Sequence, residues 1–245
     1  MRTANPALND NTFRHVEGDA KDGYMTINGT VNRTYILLFM LLIPAIYTWN
    51  MFAKDSPLVS ILMIIGIVGG LIVALITVFK KTLAPITAPI YAVFEGLFLG
   101  VISAFFEAMY PGIVIQAVTL TFGVLFCLLF AYKSGFIKVT ENFKLGVVAA
   151  TGSIFVIYLI SFVMGLFGVS VPFIHESGIL GIGFSLFVVT IASLNLVLDF
   201  DFIESGARNR MPKYMEWYAA FGLIVTLVWL YIEILRLLSK LRSRR

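Results

Sequence analysis

"ILGIGFSLFVVTIASLNLVLDFDFIES", Ile179 to Ser205, decides what kind of protein this is. From Ile179 to Leu198 no charged residue appears, and about 20 such residues are what a helix needs to cross a bilayer. The run then closes on three carboxylates: Asp199, Asp201 and Glu204. Six more apolar runs of this kind, 35–53, 58–79, 86–108, 111–132, 145–167 and 215–238, join the 179–199 run along the chain. The composition agrees, with 59% of residues hydrophobic and 13% charged, where a soluble domain is about a quarter charged. These features predict an all-α membrane protein, a single bundle of seven transmembrane helices. A polar N-terminal tail (1–32) precedes the membrane domain (33–240), and a basic tail (241–245) follows it.

Several function classes drop out at once. Cys127 is the single cysteine and lies in an apolar run, so an intrachain disulfide is excluded. His15 and His175 both sit in polar segments, which argues against a histidine metal site. No nucleophile–base pair, phosphate-cradling loop or metal-ligand spacing is present, so the expectation is no enzyme, no cofactor and no nucleic-acid partner. The N-terminal segment lacks the apolar core of a signal peptide.

Orientation follows from Lys and Arg in short loops. Lys80, Lys81, Lys133, Lys138, Lys144, Arg208, Arg210 and Lys213 fall in the second, fourth and sixth connections, against Lys54 alone in the first, third and fifth. That places the even loops and the N-terminus in the cytosol of a cell whose inner membrane holds the chain. The tail "RLLSKLRSRR" would then lie outside, contrary to the same rule. Six spans would cure this only by demoting a convincing one, so seven is kept.

An acid among apolar residues costs at least a few kcal/mol near the bilayer centre and usually faces a cavity or a partner. Glu95, in "YAVFEGLFLG", lies roughly 15 Å past Pro85 at ~1.5 Å per residue, close to the midplane. Asp199, Asp201, Glu204 and Glu216 mark the inner level, and Glu107 and Glu233 the outer. A column of acids at several depths suits a cation path. Helix-end solvation accounts equally well for Asp201 and Glu204, an interfacial position for Glu107 and Glu233, and a helix N-terminal role for Glu216. Residues two apart on a helix point ~200° apart, so Asp199 should face away from Asp201 and Glu204. Flanked by "LNLVL", it is the candidate for a buried titrating acid.

In order and spacing, the seven spans, the basic junction after the second, "LDFDFIE" closing the sixth and the final "LVWLYIEILRLL" resemble the Bax inhibitor-1/YccA-like family. The opening "MTINGTVNRT" resembles its bacterial branch. The resemblance implies six helices around a central seventh. For some members it implies a pH-sensitive calcium leak, in which an acid ending helix six pairs with one in helix seven. The helix-six acid carries over to Asp199, and the family's basic residues after helix two carry over to Lys80 and Lys81 as a latch. The second acid does not carry over, because Thr226 stands at that position of helix seven. Glu216, Glu233 or Asp201 would have to substitute.

Three functions compete on this basis. The first is a cation leak, for calcium, gated by protonation near Asp199 with Asp201 at the mouth. Calcium suits oxygen ligands. The second is a membrane interaction protein that modulates a membrane-bound protease or a cell-death response. The third is a proton-coupled exchanger with Glu95 as carrier.

The topology can be tested with Cys127 replaced and single cysteines introduced. Sites between Lys133 and Lys144, or between Arg208 and Lys213, should resist an impermeant thiol reagent in intact cells, and a site in 241–245 should react. Labelling of the first two would reverse the orientation, and a protected tail would remove one span.

Overall fold

The computed structural model describes residues 23–168 and 178–244. Within them the chain forms α1 (Ile27–Phe52), α2 (Leu58–Phe79), α3 (Ala84–Met109), α4 (Ile113–Lys133), α5 (Glu141–Leu166), α6 (Ile179–Arg208) and α7 (Met215–Ser243), with a 3-10 turn over Lys81–Leu83 leading into α3. All seven are long and apolar enough to cross a membrane. Much of the polar tail, His15, Pro172 and His175 lie outside the described residues. So does the fifth connection beyond Gly168.

Several boundaries differ from those expected, and at two of them a threonine cap is the reason. α1 begins at Ile27, ahead of the apolar run at Tyr35. Thr26 caps it by accepting the Gly29 N–H at 2.9 Å, and such a cap needs no apolar residue. α5 begins at Glu141 because Thr140 caps it, accepting the Phe143 N–H at 3.2 Å. This moves Lys144 from a loop into the first turn, 3% exposed and 3.6 Å from Glu141. α6 continues to Arg208, so "LDFDFIES" is interior helix rather than a helix end.

The exposed faces are apolar. Ile61, Leu71, Phe126, Phe130, Phe155 and Phe162 all stand outward, a distribution that lipid accepts and water does not. α7 is the opposite case: 56% of its apolar window is buried, against 17% for α2.

The chain divides into two compact units. Among the described residues one combines those of 112–200 with 226–244, the other 23–111 with 201–225, so α6 and α7 each contribute to both. In the second unit α3 packs through glycines. A side chain at Gly96 would strike the Leu41 carbonyl and Pro44 of α1, and one at Gly100 would strike the Ala45 carbonyl and the Thr48 hydroxyl. On its other side, α3 presents the Phe94 carbonyl to Gly66 of α2. Small residues let membrane helices approach this closely.

The same unit ties the start of α1 to the α6–α7 turn. The Met25 N–H donates to the Met211 carbonyl at 2.6 Å, and the Lys213 N–H donates to the Gly23 carbonyl at 3.2 Å. In the first unit, Ile154 of α5 with Val188 and Ile191 of α6 forms an apolar cluster, joined by Tyr158 and by Trp229 of α7.

Replacing Gly96 or Gly100 with Leu should therefore destabilise the detergent-solubilised protein by at least about 1–3 kcal/mol. Gly123→Leu and Gly146→Leu, where nothing lies near the would-be side chain, should change it by less than about 0.5 kcal/mol. Thermal melts of the four variants check the contrast.

Candidate ion site

In the first unit α6 and α7 run antiparallel with a repeat of seven residues on each. α7 buries Thr226, Glu233 and Lys240, and α6 buries Ser185, Ala192 and Asp199. Two turns separate successive members, about 10.5 Å of helix rise. Thr226 hydrogen-bonds the Asp199 side chain. At the other end the Lys240 Nζ donates to Ser185 Oγ at 2.8 Å and to the Gly181 carbonyl at 3.0 Å. The same spacing puts Glu233 level with Ala192. Tyr158 of α5 reaches it, its hydroxyl 3.1 and 3.0 Å from the two carboxylate oxygens of Glu233. Arg236 Nη1 donates to Glu233 Oε1 at 3.0 Å, and its guanidinium lies 5.3 Å from the Tyr158 ring centroid.

Asp199 is the least satisfied acid of this seam. It is 3% exposed, and its Oδ2 is buried without a hydrogen-bond partner. One turn earlier on the same face, Asn195 donates to Thr151 Oγ1 of α5 at 2.8 Å and to the Ile191 carbonyl at 2.9 Å. Thr226, where the resemblance implied a second acid, meets Asp199 with a hydroxyl.

The remaining acids occupy different surroundings. Because α6 stays helical, Asp201 diverges from Asp199 and is only half-buried. Glu204 pairs with Arg208 one turn on, the two side chains 40% and 73% exposed, which is a surface ion pair of small energetic weight. Glu216 is 1% exposed. It accepts from the Thr26 N–H at 3.0 Å, from the Thr26 hydroxyl at 2.9 Å and from Lys213 Nζ at 2.8 Å. It thereby caps α1 across the turn, and a side chain at Gly29 would collide with it. Glu95 is half-buried, bonded to the Tyr91 hydroxyl, and Gly70 of α2 leaves space beside it. Lys80 ends α2, and Lys81 places its Nζ 5.6 Å from the Tyr218 ring centroid. Among the described residues no group of three or more His, Cys, Asp or Glu comes together as a metal cage.

Sequence reasoning missed Tyr158, Arg236, Lys240 and Asn195. The matching seven-residue spacings Thr226–Glu233–Lys240 and Ser185–Ala192–Asp199 were the available signal.

The fold and the buried acid define a multi-pass helical membrane protein with a polar seam between its last two spans. The chain belongs to the Bax inhibitor 1 like family, whose model matches residues 5–243. No curated protein and no solved structure matches it.

Thr226→Val keeps the shape and removes the hydroxyl, leaving Asp199 without that donor, so it should cost about 1–3 kcal/mol of stability. In an Asp199→Ala background the same change should cost much less, since partners in contact couple. Equal costs in both backgrounds would deny the interaction.

Proposed function

We propose that the chain is a passive cation leak, calcium among its ions, with passage controlled by protonation of Asp199. The observation that supports this is the Asp199 carboxylate, buried beside a single threonine hydroxyl with Oδ2 unpartnered. An ionised carboxylate in such a place is costly unless a cation lies against it. Conduction, however, requires binding weak enough for the ion to leave. The charged form therefore attracts and retains a cation, and the protonated form releases it. The oxygens available along the seam, from carboxylate, hydroxyl and backbone carbonyl groups, are the ligand types calcium takes.

In this proposal the chain has no catalytic role and no cofactor. It lies in the cell membrane with its N-terminus, and the Asp199 end of the seam, toward the cytosol. Asp201, two residues further along α6, adds a negative charge at that end of the helix.

Calcium flux into dye-loaded proteoliposomes of purified protein tests it. Wild type should conduct without a counter-ion gradient, and its flux should rise as pH falls and Asp199 is neutralised. Asp199→Asn, fixed in the uncharged state, should conduct at the acid-side level at every pH, and Asp201→Asn should have the smaller effect. Unaltered flux and pH dependence in Asp199→Asn would sink the assignment. Flux only against a counter-ion gradient would favour exchange at Glu95, and none at all an interaction protein.

A further inference from the structure

The end of the α6/α7 seam away from Asp199 is occupied by a lysine. Lys240 is 8% exposed, and its ammonium donates to the Gly181 carbonyl at 3.0 Å and the Ser185 hydroxyl at 2.8 Å. A lysine near the end of a membrane helix ordinarily snorkels its charge to water. This one turns between two helices instead. Among the oxygens it meets are a backbone carbonyl and a hydroxyl, groups with which ion paths replace a cation's hydration shell, and the charges of Glu233 and Arg236 also act on it. Lys240 lies four turns from Thr226 along α7, about 21 Å of rise, and Ser185 lies equally far from Asp199 along α6. The seam thus has an acid with an open oxygen at one end and a built-in cation at the other. Midway, the Glu233 oxygens are engaged by Tyr158 and Arg236.

We propose that the Lys240 ammonium is a tethered cation, occupying the oxygen site formed by Gly181 and Ser185 and, by competing with free cations for it, limiting their passage through that end of the seam. The inference rests on the leak proposed above and adds a second gate to it. A free monovalent or divalent cation would compete for the same oxygens once the ammonium is withdrawn.

The test is passive cation flux through Lys240→Ala in proteoliposomes, at the acid pH where wild-type flux is highest, so that Asp199 is not limiting. Flux should rise several-fold. Propylammonium, which restores the atoms removed, should bring it back toward wild type, and propanol, of the same size without the charge, should not. A merely structural lysine would lower thermal stability without this amine-specific closure. Unchanged or lower flux in Lys240→Ala, or raised flux indifferent to propylammonium, overturns the gate. Should Lys240→Ala fail to fold, Ser185→Ala removes one ligand and leaves the lysine. Its flux should rise more modestly, and wild-type flux there overturns the proposal. If Asp199→Asn conducts at all pH values while the Lys240 and Ser185 variants add nothing, the gate fails and the leak stands. If no variant conducts, both fail.

Discussion

Within hydrocarbon, a polar side chain has only its neighbours to bond, and an unsatisfied group costs several kcal/mol. α7 carries three such groups on one stripe, Thr226, Glu233 and Lys240, and all three are buried. Their partners stand on α6 and α5 at matching heights: Asp199, Tyr158 and Ser185. This fixes the register of the two last helices within their shared unit. Sliding α7 by one turn would separate Thr226 from Asp199, Glu233 from Tyr158 and Lys240 from Ser185 together. Apolar packing alone sets no such register, since one leucine serves about as well as another against lipid.

The seven spans were legible because the bilayer imposes a length and an apolar content on each. Their ends were less so. Hydropathy sees where greasy residues stop, whereas a helix stops where its terminal N–H and C=O groups find partners. Thr26 and Thr140 start α1 and α5 among polar residues, and α6 runs nine residues beyond Asp199 to Arg208 through a stretch whose charges read as a loop. The alternation of Asp199 and Asp201 between buried and half-buried faces did follow from helical geometry once the helix was known to continue.

The basic C-terminal segment shows why a count of charges differs from knowledge of their surroundings. Read as a loop, "RLLSKLRSRR" contradicts the excess of Lys and Arg in the even connections. In the structure three of its charges belong to α7 and have partners: Arg236 bonds Glu233, Lys240 bonds Ser185, and Arg242 Nη2 bonds Gln116 Oε1 at 3.0 Å. Of the three only Lys240 is buried, while Arg236 keeps an exposed side chain and Arg242 a partly exposed one, and both bear on orientation as solvated charges do.

Donor geometry separates the buried acids more sharply than depth does. Glu216 receives two bonds from Thr26 and one from Lys213, which suits a carboxylate whose task is to cap a helix and hold the α6–α7 turn. Glu233 has a hydroxyl across both oxygens and a guanidinium on one, so a free ion would have to displace existing partners. Asp199 has a threonine on its acceptor side and a buried oxygen with nothing bonded to it. A buried polar atom left unsatisfied in an otherwise well-bonded seam calls for an occupant, whether a proton, an ion or water. A second aspartate at position 226 would share protons with Asp199, whereas a hydroxyl can donate to the carboxylate or, rotated, accept from the protonated acid. Thr226 therefore makes this a one-acid site, in which charge on the seam at this level is set by Asp199 alone.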